Sequence, residues 1–92
     1  MTPDELAALA AIRGLASANR VRITSHASRE ARHAGVENAD VFCALRTAAA
    51  CKDQRRDATT AADWKVTGRD RDGDELHCAV TIEGEVVVVT VF

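Results

Sequence analysis

Three histidines set the range of chemistry open to this chain, because imidazole titrates near neutrality and can both take and give a proton. His77 lies in the alternating run ELHCAVTI, and His26 directly follows the β-rich run RVRITS. Lys65, Thr67 and Arg69 precede His77 at the two-residue spacing that gathers side chains on one face of a strand. Two cations and an imidazole on one surface suit an anionic substrate: the cations hold negative charge while the ring moves a proton. A second basic run, Lys52, Arg55 and Arg56, offers phosphate contacts of the kind that position a nucleic acid without reading its sequence. His26, Arg29, Glu30 and His33 form a polar stripe at helical spacing. With no further strong ligand elsewhere, no metal site is expected there. Cys43, Cys51 and Cys78 lack the spacing of a zinc site and read as buried free thiols of a reducing compartment. No glycine-rich phosphate loop, nucleophile elbow or paired-carboxylate arrangement is present, and no cofactor is expected.

His77 must be positioned by the segment from Trp64 to Phe92, which predicts three consecutive antiparallel strands. Arg71-Asp72-Gly73 separates the first two, with glycine at the third loop position where the chain turns left-handed. That loop pairs Leu76 with Gly68, His77 with Thr67 and Ala79 with Lys65. One face then collects Trp64, Val66, Leu76, Cys78, Val80 and Ile82; the other collects Lys65, Thr67, Arg69, Glu75, His77 and Thr81. A two-residue turn at Glu83-Gly84 sets Thr90 opposite His77, adding a second hydroxyl to the polar face.

Upstream, Thr2-Pro3-Asp4-Glu5 is a helix start with a capping box, and the helix runs to about Ser17 with Leu6, Leu9, Ile12 and Leu15 along one stripe. Arg20 to Thr24 alternates as a short strand. Ser25 is the expected cap of a second helix ending at Gly35, and Asn38 that of a third. Residues 51–60 read as a modest strand or a loop. The order is α-β-α-α-(β)-β-β-β: an α+β domain over residues 1–92, helices packed on a small antiparallel sheet.

Ninety-two residues supply one small core, much of it alanine. No run reaches membrane-spanning length, and the acidic start at Asp4 and Glu5 is unlike a signal peptide, so a cytoplasmic location and no membrane partner are expected. The net charge is −2, but residues 20–69 carry +4 and residues 70–92 carry −5. A basic middle segment is compatible with a phosphate-rich ligand.

The runs RITSHASREARHAGV, WKVTGRDRDGDELHCAV and EGEVVVVTVF resemble a small bacterial domain family that is itself similar to RelE-like and MqsR-like toxins, the ribonucleases of toxin–antitoxin modules. The resemblance covers about residues 20–92 and leaves the first helix outside. It implies an mRNA-cleaving toxin, acting on free or ribosome-bound mRNA and held inactive by a cognate antitoxin protein. It places the family's histidines on His26 and His77 and its hairpin Gly-Arg on Gly68-Arg69. Three departures stand out: Ala34 replaces the arginine usual just before the helix-closing glycine, Lys65 replaces the glutamine that follows the tryptophan in MqsR-like toxins, and their active-site tyrosine is absent. The reading is therefore a metal-independent endoribonuclease with His77 and His26 for proton transfer and Lys65 and Arg69 for the phosphate. Arg29, Lys52, Arg55, Arg56, Thr67 and Thr90 are its further RNA contacts. The rival is a non-catalytic protein-binding module, an immunity or accessory protein using the same sheet.

Overall fold

Local capping starts the first helix, α1 (Pro3–Ser17): the Thr2 hydroxyl accepts the Glu5 backbone N–H at 3.1 Å, and the Glu5 carboxylate accepts that of Thr2 at 2.8 Å. The computed structural model describes all residues, 1–92, and continues with β1 (Val21–Ile23), α2 (Ser25–His33), α3 (Asn38–Arg46), β2 (Ala50–Asp53), β3 (Trp64–Arg69), β4 (Glu75–Ile82) and β5 (Val86–Val91). The strands form one sheet in the order β1-β5-β4-β3-β2. Of residues 51–60, left open between strand and loop in the sequence, 51–53 belong with Ala50 to a strand paired antiparallel to β3.

Four sequence expectations are corrected here. The cap of α3 is Glu37 rather than Asn38, its N–H donating to the Asp40 carboxylate at 3.0 Å. The sheet is not wholly antiparallel: β1 joins β5 in parallel, with Val21 beside Val86 and Ile23 beside Val88. The helices and strands between β1 and β5 supply the long crossover that a parallel pair requires. The cap of α2 is Thr24 rather than Ser25; its hydroxyl accepts the Ala27 N–H at 3.2 Å and donates to the Val88 carbonyl at 2.9 Å, so the cap also ties helix to sheet. The stripe of α1 that is buried is Ala8, Leu9, Ile12 and Ala16, whereas Leu6 is 52% exposed. A strict spacing of three drifts around a helix of 3.6 residues per turn, so Leu6 rotates off the core face that Ile12 occupies.

The β3–β4 hairpin has the expected register: Lys65 with Ala79, Thr67 with His77 and Gly68 with Leu76, with Gly73 at φ 84° in the turn. The next hairpin does not. Ile82 pairs with Val86, which makes the loop Glu83-Gly84-Glu85, and a register shift follows near Ala79/Val80. Thr90 therefore lies opposite Ala79, and His77 has Phe92 as its neighbour, whose N–H donates to the His77 carbonyl at 2.9 Å.

All three helices lie on one side of the sheet and share a single apolar cluster with it, including Ile12, Ala27, Val41, Leu45, Val66, Val80 and Val88. The closest approach is at Gly68, where an added Cβ would sit 1.8 Å from the Ala44 carbonyl oxygen of α3. Only glycine lets α3 lie this near β3. The other side of the sheet is left without helices, the usual division of an antiparallel sheet into a packed face and a wet one.

Candidate functional site: the helix-free face of the sheet

Alternation along β2, β3 and β4 turns Cys51, Trp64, Val66, Leu76, Cys78 and Val80 toward the helices. The same alternation leaves Lys52, Lys65, Thr67, Arg69, Glu75 and His77 on the open face, and β5 adds Thr90 beside Ala79. His77 sits near the middle, its side chain 36% exposed and held at both ring nitrogens. Nδ1 lies 3.0 Å from the Thr67 hydroxyl on the facing strand, and Nε2 lies 3.1 Å from Glu75 Oε1 two residues earlier on its own strand. In the tautomer in which Thr67 donates to Nδ1, Nε2–H points at the Glu75 carboxylate. The ring is thus oriented, and a carboxylate stands within proton-transfer distance of it.

The cations around this pair are unequal. Lys65 and Lys52 are direct cross-strand partners, and the Lys65 ammonium lies 5.1 Å from the centre of the Phe92 ring. Arg69 ends β3 and donates to the Gly73 carbonyl at 2.9 Å, which turns it toward the hairpin loop. It borders a depression of about 140 Å³ shared with Thr47, Thr67 and Glu75, next to His77's own partners.

Arg55 stands apart from the two cations it neighbours in sequence. It reaches Asp53 through Nε at 3.0 Å and Nη2 at 2.8 Å, reaches Asp4 at 2.8 Å, and stacks 4.7 Å over the ring of Trp64. These contacts hold the Asp53 carboxyl down to about 2 and raise the guanidinium's own pKa. Arg55 clamps the end of β2 to the start of α1, with three of its five N–H donors committed to Asp53 and Asp4. Lys52 and Arg56 instead line a depression of about 310 Å³ with Gln54 and Asp57.

His26 is not brought to this group. It is exposed in the first turn of α2, 3.3 Å from Glu30 Oε1, and α2 packs on the helix-covered side of the sheet against β5. Glu30 also accepts the Val91 N–H at 3.2 Å, where β5 runs on past the end of β1. Arg29 is exposed on the same helix, beside Arg32 and His33.

Sequence reasoning left Glu75 without a role, although period two already placed it on the face of His77. It also left Phe92 unassigned, although period two from Thr90 already placed it on this face; the changed register of β5 only makes its neighbour His77 in place of Glu75. No three His, Cys, Asp or Glu side chains converge in a way that would hold a metal ion. The thiols are free; burial pushes Cys51 up to about 11 and Cys78 up to about 12, so neither is a ready thiolate nucleophile. No helix is long and apolar enough to cross a membrane.

Comparison of the chain with protein-family models, with curated proteins and with solved structures finds no match.

Proposed function

We propose that this chain is a metal-independent endoribonuclease that works from the open face of its sheet, in the manner of the small ribonuclease toxins its sequence resembles. The observation that carries the reading is the Glu75–His77–Thr67 line beside Lys65: a titratable pair 3.1 Å apart on a cation-bearing surface. In the proposed reaction the ribose 2′-oxygen attacks the adjacent phosphorus and the bond from phosphorus to the 5′-oxygen breaks. Glu75 takes the 2′-hydroxyl proton, and protonated His77 gives its proton to the departing 5′-oxygen. The products are a 2′,3′-cyclic phosphate and a 5′-hydroxyl. Lys65 and Arg69 stabilise the negative charge that builds on the phosphate oxygens. Thr67 holds the imidazole at Nδ1, and Nε2–H turns from the Glu75 carboxylate to the departing oxygen as Glu75 takes up the 2′-hydroxyl proton. The acid–base partner of His77 is thus Glu75, on the same strand face, in place of His26. Such an activity needs restraint inside a cell, and an acidic segment of an inhibitory partner protein, an antitoxin, would cover the same cations.

The test is RNA cleavage by the purified chain in EDTA. Wild type cuts RNA at a rate that varies between about pH 5 and 8, where histidines ordinarily titrate. His77→Ala lowers the rate by about 10²–10⁴-fold, the usual loss for a positioned acid or base. Intact RNA after incubation with the wild type, free or on ribosomes, would overturn the reading and leave a protein-binding module on the same face.

A further inference from the structure

Between β2 and β3 the chain folds back beside the open face and makes with it a cavity of about 370 Å³ that the cleavage chemistry does not use. Gln54, Asp57 and Thr60 line it from the loop, and Lys65, Thr90 and Phe92 from the sheet. Three properties say what fits. Phe92 is 57% exposed, an aromatic ring presented to solvent at the cavity wall. The Gln54 amide and the Thr90 hydroxyl line the cavity with no intramolecular hydrogen bond of their own, so they are free to meet a ligand's polar edge. Asp57 is anionic, held below the ordinary carboxylate range first by the Thr59 hydroxyl and then by the Thr59 N–H. Its carboxylate can accept from the N–H donors of a neutral, planar group.

Gln54 and Asp57 are also the wall of the adjoining depression, which holds Lys52 and Arg56. Asp53 lines that depression as well but is paired with Arg55, so the two compartments together offer an aromatic, hydrogen-bonding wall at Phe92 and, at Lys52 and Arg56, two cations. Those are the two halves of a nucleotide.

We infer that the cavity at Phe92 is a nucleobase subsite for single-stranded RNA, the base stacked on Phe92 with its edge on Gln54 and Thr90 and its phosphate toward Lys52 and Arg56. The inference rests on the RNA reading above. Stacking on an aromatic ring tolerates any base because every base has a π-face, while the amide and hydroxyl add a hydrogen-bond preference.

Binding of a labelled 2′-O-methyl RNA strand, which lacks the attacking hydroxyl and cannot be cut, separates this site from the chemistry. It is compared by fluorescence anisotropy at low salt with an abasic strand of equal length. Phe92→Ala weakens binding of the base-bearing strand by about 5- to 100-fold, the range for losing one base–aromatic stack, and leaves the abasic strand unchanged. Phe92→Trp restores binding, and Lys52→Ala weakens both strands alike. Because the ring is exposed, Phe92→Ala keeps the wild-type melting temperature, which excludes unfolding as the cause. A Phe92→Ala protein that binds the base-bearing strand as the wild type does, or loses both strands equally, overturns the subsite and leaves the cleavage reading intact. A wild type that binds neither strand overturns both. Selective loss in Phe92→Ala, with no cleavage of ordinary RNA by the wild type, keeps the subsite and removes only the chemistry.

Discussion

Two glycine-to-alanine substitutions, identical in chemistry, move the stability of this protein in opposite directions. At Gly68 the added methyl group would stand 1.8 Å from the Ala44 carbonyl oxygen and 2.7 Å from its carbonyl carbon, both backbone atoms of α3. Real Cβ contacts essentially never fall below 3.0 Å, so α3 and β3 must separate by at least about 1.2 Å, and no flexible side chain can give way instead. Forcing apart a packed helix–sheet contact costs about 1–3 kcal/mol, and the rigidity of both partners puts Gly68→Ala at the upper end. At Gly14, in the fourth turn of α1, an added methyl meets nothing within 4 Å. There alanine removes backbone entropy from the unfolded chain and stabilises by about 0.5–1 kcal/mol. In a domain of this size 1 kcal/mol moves the midpoint by about 4–8 °C, so Gly14→Ala melts about 2–8 °C above the wild type and Gly68→Ala about 10–20 °C below it. Thermal melts followed by circular dichroism, with urea melts as a second measure, read both. A Gly68→Ala protein that melts with the wild type would refute the close approach of α3 to β3, and with it the geometry that sets Thr67 and Arg69 on the open face. A destabilised Gly14→Ala protein would refute the open helical site.

Other outcomes follow from the charge clusters. Asp40 is held down to about 2 from an ordinary 3.8, first by its hydrogen bond from Arg71, whose Nε donates at 2.9 Å; Asp53 is held similarly low by Arg55. A carboxyl whose folded pKa is depressed contributes stability above its ordinary value and loses it as pH falls toward the folded value, so stability drops between about pH 4 and 2. Asp40→Asn is less stable at pH 7 and shows a shallower acid loss in urea melts at stepped pH; an unchanged pH profile would remove Asp40 from the account. Lys52→Glu with Arg56→Glu weakens single-stranded RNA binding and lowers the salt slope by about 0.7 per lost phosphate contact, or roughly 1.4 for the pair. Arg55→Ala lowers the melting temperature instead and leaves that slope alone, because its guanidinium is held on Asp4, Asp53 and the Trp64 ring. Equal salt slopes for all three proteins would show that none of these cations meets phosphate.

The parts of the fold legible in the sequence are those fixed by neighbouring residues. The Thr2 cap, the Gly73 turn and the β3–β4 register each follow from chemistry within a few positions, and period two then sorts Lys65 and His77 onto one face. The parts that escaped depend on contacts distant in the chain. The parallel pairing of β1 with β5 joins residues more than sixty positions apart, and no local signal announces it. The shift in β5 moved Thr90 from His77 to Ala79, because VVVVTV has apolar side chains on both faces and gives no alternation to fix a register. Arg55 and Arg56 looked alike as neighbours in a basic run. The end of β2 separates them: Arg55 falls on the Trp64 side, where two carboxylates await it, and Arg56 falls on the other.

Fold and proposed chemistry therefore draw on alternate residues of the same strand. Along β4, Leu76, Cys78 and Val80 are at most 4% exposed and belong to the core, while Glu75 and His77 between them face solvent and each other. Ala79 is the exception: it lies on the open face yet is 1% exposed, walled by Lys65 on one side and Thr90 on the other. A larger residue there would push the lysine and the threonine apart. Lys65, opposite Ala79 on β3, is two residues from Thr67, the partner of His77, and also walls the cavity at Phe92. A single lysine on β3 in this way borders both the group that would move protons and the ring that would hold a base. The proposed cleavage site and base subsite thus share that lysine, and a base bound at Phe92 would help to place the scissile phosphate beside it.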